Sequence, residues 1–440
     1  MSADNAESVE LHQQSRTIGY RVLASKVAVI AVFLVSSRGY ASELLTLDEA
    51  VTTSLKNHPQ VVEAKANLQG AEARTGQALA SYYPQINISS DWSKGRSFFT
   101  VKESVMNADV TTDALYLKQT IYDFGRTAGA VEAARWNRSA AADSLAITRQ
   151  DIAFRVRNDF YLLLAAEKEV LAVKETVQAR EAVFRQAQEF FKEGIRAKVD
   201  VARAESNLYA ARTALIRAEN NRDIARVELA NALGIPSLGD RTLAEPSSPS
   251  VTLPERLQVQ KDAIANRAEL KRLAALESSA AASLKTAKSG YLPILSGTAS
   301  VGYADKDFPP GSNVWAVGLN LTVPLFSGFS TVEQVKEAVA LQSVVEAQQN
   351  NQRLQIVKEV ESAWLGVGEA SARMLSTEKE VVAADENRTL AEGRYHEGVG
   401  SIIEVTDAQS QSLDAKTAHI QAVYDYRTAL ARLDRAVGKD

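Results

Sequence analysis

The chain has 440 residues, a net charge of -4, 45% hydrophobic residues but only 7% aromatic ones, and no cysteine. The charge balance argues against a nucleic-acid partner, which needs a concentrated basic face. Without cysteine there can be no disulfide, thiolate metal site, cysteine nucleophile or lipidated N-terminal cysteine.

Residues 1–41 read as a signal peptide. Arg16, Arg21 and Lys26 precede an apolar run from Val27 to Val35, and Gly39-Tyr40-Ala41 places small residues for cleavage after Ala41. That run is far shorter than the roughly 20 apolar residues a membrane-spanning helix needs. No later segment reads as such a helix, so a membrane-embedded part would have to be β-strand.

Thr46-Leu47-Asp48-Glu49 has capping-box spacing and opens a short helix ending near His58. Pro59 suits the first turn of a second helix, which reaches about Tyr82 before Pro84 stops it. Two extended segments follow, about 84–96 and 111–123, with a polar loop between them. From Ala130 to Glu193 there is neither glycine nor proline, and Val156, Leu163, Val170, Val177, Phe184 and Phe191 recur every seventh residue. This stretch alone predicts about 96 Å of continuous helix at 1.5 Å per residue, within a helix over about 125–193. Gly194 turns the chain into a second long helix, about 197–233, ended by Gly234.

That helix carries Ala204, Ala211, Ala218, Ala225 and Ala232, and the same ladder returns 204 residues later as Ala408, Ala415, Ala422, Ala429 and Ala436. Small side chains at one heptad position let helix axes approach closely, so the ladder specifies helix-on-helix packing. Phe191-Lys192-Glu193-Gly194-Ile195 answers Tyr395-His396-Glu397-Gly398-Val399 in the same register. The length alone would suggest two or three domains, but the repeat replaces that expectation with one duplicated architecture. Its first unit is 42–234, a connector rich in proline and serine spans 235–262, and the second unit is 263–440. The second unit repeats the order: a helix from about Ala263 to Ser289, strands about 293–304 and 313–324, and long helices about 329–396 and 401–437. Ser330-Thr331-Val332-Glu333 is placed to cap the third long helix.

In the fourth strand Trp315, Val317, Leu319 and Leu321 alternate with Ala316, Gly318, Asn320 and Thr322, giving one apolar and one polar face. With a signal peptide and strands of this length, the pattern favours an outer-membrane barrel. Four strands cannot close one, since single-chain barrels need at least about eight, and three chains would supply twelve.

Two strand pairs, each leading into a long glycine-tipped hairpin, resemble the TolC family of outer-membrane channel proteins. The resemblance covers about residues 43–438. Its most specific stretches are Ile121-Tyr122-Asp123-Phe124-Gly125-Arg126, Val323-Pro324-Leu325-Phe326-Ser327-Gly328 and Tyr395 to Asp407. It implies a mixed α/β membrane protein forming a homotrimer, with a 12-stranded β-barrel in outer-membrane lipid continuous with a periplasmic 12-helix α-barrel. The implied function is an exit duct for an efflux pump or type I secretion system, without a cofactor. The implied partners are a periplasmic adaptor and an inner-membrane pump or transporter.

By the same resemblance, Gly194-Ile195 and Gly398-Val399 match the tips that contact the adaptor, although Glu193 and Glu397 stand where the family usually has valine. Glu404 and Asp407 match the acidic positions of the constriction ring, and Asp200 and Tyr395 match a gate pair joined by a hydrogen bond. The arginine of the better-known gate is replaced by Gly400, which leaves Arg196 as the cation to nominate. Each of these residues also has a structural reading. The glycines must turn the chain in any case, Glu404 completes the capping spacing of Ser401-Ile402-Ile403-Glu404, and Tyr395 continues the heptad seam.

An enzyme finds no support. His58, His396 and His419 lack metal-ligand spacing or a nucleophile motif nearby, and His12 lies in the signal peptide. A periplasmic adaptor would carry one hairpin rather than two, and a coiled-coil rod would not need the alternating strands.

Overall fold

The computed structural model describes residues 44–99, 104–247 and 254–439. The expected signal peptide and its cleavage site lie outside these residues. Among them no helix is long and apolar enough to cross a membrane.

The chain opens with a two-residue strand β1 (Leu44–Leu45), then helices α1 (Leu47–Asn57) and α2 (Pro59–Leu79). Thr46 and Glu49 form the reciprocal capping box, and Pro59 occupies the first turn of α2. Strand β2 (Gln85–Phe99) pairs along its whole length with β3 (Ser104–Tyr122), from Gln85 opposite Lys118 to Phe99 opposite Ser104. Much of the stretch expected to be a polar loop is therefore ladder. Between Arg96 and Val110 there is no glycine or proline to end a strand.

The long helices α3 (Arg126–Lys192) and α4 (Lys198–Ala232) form the first hairpin. After the short strand β4 (Thr242–Leu243), which pairs parallel to β1, come α5 (Arg256–Asn266) and α6 (Ala268–Lys288). Strands β5 (Ile294–Asp305) and β6 (Ser312–Thr322) then lead into the second hairpin, α7 (Ser330–His396) and α8 (Ile402–Val437). Ser330 is the first residue of α7 rather than its cap. The Oγ of Ser327 accepts from the Thr331 N–H instead, at 3.4 Å, and Phe329 adopts a left-handed φ of 67°.

One helix was expected from about Ala263 to Ser289, and the structure divides that region at Arg267. α5 begins at Arg256, inside the stretch read as connector. No glycine or proline marks the break, but Arg267 (φ -60°, ψ 121°) takes the extended conformation that His58 (φ -65°, ψ 128°) takes between α1 and α2. At each break another helix ends. A Cβ added to Gly234 would lie 2.9 Å from the His58 Cα, and one added to Gly438 would lie 3.2–3.3 Å from Asn266 and Arg267 backbone atoms. Close backbone approach and left-handed φ values of 70° and 86° both demand glycine. The end of α4 therefore abuts the start of α2, and the end of α8 the start of α6.

The core follows the 204-residue register. Ile152, Val156, Leu163 and Leu229 are buried around the first joint, and Ile356, Val360, Val367 and Leu433 around the second. The alanine ladders are buried except at their fourth rungs, Ala225 and Ala429, which are half-buried in both copies. The second joint is also ionic. Arg267 donates to Glu269 (2.9 Å), Glu359 (2.8 Å) and the Ala436 carbonyl (3.1 Å), while Arg435 pairs with Glu269 and Asp151 at 2.7 Å.

α3 packs against α2, α4, α6 and α8, and α7 against α6 and α8. The four long strands form one sheet in the order β2-β3-β5-β6, so β2 and β6 are its edges. The register places Ile86, Ile88, Leu115, Leu117, Ala299, Val301, Trp315 and Val317 on one face and Asn87, Ser89, Thr298, Ser300, Ala316 and Gly318 on the other.

Candidate functional site

The residues singled out by sequence gather at the far end of the two hairpins from the sheet. Both tips are built alike. Glu193 and Glu397 end α3 and α7 with φ -77°, and Gly194 (φ 71°) and Gly398 (φ 77°) follow in the left-handed region. The Ile195 N–H donates to the Phe190 carbonyl at 2.8 Å and the Val399 N–H to the Arg394 carbonyl at 3.1 Å, the closing bonds of a Schellman turn. Ile195 and Val399 stand exposed at the two apices.

Behind the tips lies an apolar cluster of Val183, Ala187, Ala204, Ala391, Tyr395, Ile402, Val405 and Ala408. Tyr395 is 1% exposed, and its ring meets Phe190 edge-on at 5.7 Å. Its hydroxyl has no hydrogen-bond partner. The bond to Asp200 expected from the resemblance is thus not made within this chain. Burial, with the Asp200 charge adding to it, raises the tyrosine pKa.

Arg196 is the residue that joins the tips. Its Nη2 donates to the Gly398 carbonyl at 2.9 Å and the Gly400 carbonyl at 2.6 Å, and its guanidinium carbon lies 6.0 Å from the Tyr395 ring centre. Gly400 is held to glycine by contact, since a Cβ there would come within 2.9 Å of the Tyr395 nitrogen.

Glu404 and Asp407 project from one face of the first turns of α8, and both are exposed. Ser401 caps this helix by accepting from the Glu404 N–H at 3.2 Å. The Glu404 carboxylate turns to Arg394 at 3.6 Å.

A polar layer further along the hairpins escaped the sequence reading. Arg180 on α3 donates to the Asn207 carbonyl on α4 and to Ser410 Oγ on α8, both at 3.0 Å. Lys416 on α8 pairs with Glu175 on α3 at 3.0 Å and Asp385 on α7 at 3.3 Å, and Ser412 donates to Asp385 at 2.7 Å. The available signal was the presence of Arg180, Asp385 and Lys416 inside otherwise regular helices, but a single sequence does not say which of them meet. Among the described residues there is no grouping of three His, Cys, Asp or Glu side chains able to hold a metal ion.

A sheet with one apolar face, joined at both strand pairs to hairpins with helices of 67 residues, is the fold of TolC-like outer-membrane channels. The solved structure of the outer-membrane channel OprN matches it with a TM-score of 0.79 at 19% identity, covering 90% of each chain. A family model described as outer membrane efflux protein matches residues 50–235 and 259–439, and the chain belongs to that family. Protein CyaE of Bordetella pertussis is 27% identical over 408 residues, covering 90% of this chain and 84% of its own. Outer membrane protein TolC of Vibrio cholerae is 23% identical over 413 residues, covering 89% and 90%. The protein is an outer-membrane exit duct for efflux or type I secretion, and it extends from the outer membrane into the periplasm.

Proposed function

We propose that three copies of the chain close into one continuous duct. The observation that carries this reading is that sheet and helix layer are both left open, at opposite sides. The free edges of the sheet are β2 and β6, and β6 is exposed along its whole length. In the helix layer, exposed Tyr209, Ile216 and Val227 on α4 lie beyond α3, and exposed Leu354, Leu365, Val382 and Leu390 lie on α7. Unlike edges on opposite sides join head to tail, and such contacts close into rings. Four strands per chain give twelve in the trimer, enough for a barrel with an open lumen. The two long helices and the two stacked pairs, α2 with α4 and α6 with α8, likewise give twelve helical rods.

In this assembly the tips face the periplasm. Gly194, Ile195, Gly398 and Val399 form the surface for a periplasmic adaptor, which links the duct to an inner-membrane pump or transporter. Glu404 and Asp407 from three chains place six carboxylates around the axis, a constriction that favours cations. Asp200 and Tyr395 belong to the gate, with the tyrosine ring as its packed element. Purified protein in planar bilayers tests the reading. Discrete conductance steps that open further when the tips are loosened support it, and a protein that inserts without conducting contradicts it.

A further inference from the structure

The geometry points to Arg196 as a gate-positioning residue: it latches the two hairpin tips of one chain together, and release of this latch is part of opening. The inference rests on the channel reading above for its functional half, while the latch itself is a contact within a single chain.

Three observations support it. First, one guanidinium nitrogen of Arg196 serves two carbonyls, of Gly398 and Gly400, in the other hairpin. These carbonyls follow the C-terminus of α7, where the helix dipole favours a cation. Second, the space is shaped for this contact. The missing side chain at Gly400 lets its backbone lie against Tyr395 and Arg394, and any Cβ would crowd them and force the loop that carries the acceptor carbonyls to shift. Third, the guanidinium sits by the ring of Tyr395, itself buried in the cluster shared by both hairpins. A latch so placed makes the tips of α3–α4 and α7–α8 move as one body. They separate only when the two bonds break.

Lysine at this position keeps the charge, but its shorter side chain sets the cation back from the two carbonyls and it loses the flat guanidinium beside the Tyr395 ring, so it should hold the tips less well. Alanine removes the latch entirely. Gly400→Ala leaves Arg196 intact but displaces its acceptor, which tests the same contact if Arg196→Ala fails to assemble.

The chain has no cysteine, so spin labels on cysteines introduced at Ile195 and Val399, in trimers diluted with unlabelled chains, report the distance between the two tips of one chain without background. The parent should give a narrow distribution, and Arg196→Ala and Gly400→Ala should each broaden and lengthen it, with the double variant no worse than either. In planar bilayers both single variants should raise the open probability about tenfold or more, as expected for loss of charge-assisted bonds in three chains. Arg196→Lys should fall between parent and alanine. An unchanged tip distance in Arg196→Ala overturns the latch, whatever the conductance. A lengthened distance with parent-like opening overturns its role in gating, and a parent that never conducts counts against the channel reading alone.

Discussion

Arg196 and Gly400 occupy the same position in the two repeats, 204 residues apart, and the arginine of one donates to the carbonyl of the other at 2.6 Å. The resemblance leads one to expect an arginine at the Gly400 position, bonding to a neighbouring chain. Here the cation stands on the opposite tip and acts within its own chain. A duplicated structure has diverged at one matched pair, and the two members now complement each other.

Tyr395 contributes its ring more than its hydroxyl. Because that hydroxyl is buried without a partner, Tyr395→Phe should leave conductance within about twofold of the parent and stability equal or slightly higher. Tyr395→Ala should cost about 3–5 kcal/mol by emptying the apolar cluster, and open the tips. Single-channel recording beside thermal melting separates the two. A large rise in opening for Tyr395→Phe would show that the hydroxyl gains a partner, with Asp200 the first candidate, when the trimer forms.

The tip glycines are constrained by conformation. Gly194→Val or Gly398→Val forces a β-branched residue into the left-handed region, at a cost of about 1–2 kcal/mol or more per site. Insertion into the outer membrane should persist while export falls. Export at the parent level in the double variant would reduce both turns to tolerant spacers.

Removing charge at Glu404 and Asp407 together, as Gln and Asn, keeps their size. Cation selectivity and block by multivalent cations should both drop in bilayer recordings. The Ser401 cap bonds the Glu404 backbone N–H and not its carboxylate, so the cap survives and helix stability should fall by no more than about 1 kcal/mol through the lost first-turn charge. Unchanged selectivity would place these residues away from the narrowest part of the lumen.

The first joint should respond to acid. Burial, with the Arg155 charge adding to it, holds the pKa of His58 below its ordinary value of 6.5. The unfolded chain then binds more protons than the folded one, so stability is complete above about pH 6.5 and is lost as pH falls below it. His58 Nδ1 also accepts from the Gln60 N–H at 3.2 Å, a cap that protonation abolishes. His58→Asn retains a capping group without the titration and should flatten the dependence of melting temperature on pH between about 5 and 7. Parallel curves for parent and variant would locate any acid sensitivity elsewhere.

Much of this fold is written in local pattern. The alanine ladders, glycine turns, capping box at Thr46 and period-2 alternation of β6 each follow from the geometry of one element. The break at Arg267 is not, because an arginine within a regular helical run gives no stop signal. What accompanies the break is tertiary, the distant Glu359 and Ala436 partners of the Arg267 side chain. The contacts of Arg196 and the Arg180–Asp385–Lys416 layer were hidden for the same reason, since they join hairpins about 200 residues apart.

The central claim, that three chains close one duct, is tested most directly by native mass spectrometry of the mature protein extracted from outer membranes in detergent. A single species of three chains that survives dilution is the expected result. A stable monomer or dimer, with β2 and β6 left unpaired, would contradict the account.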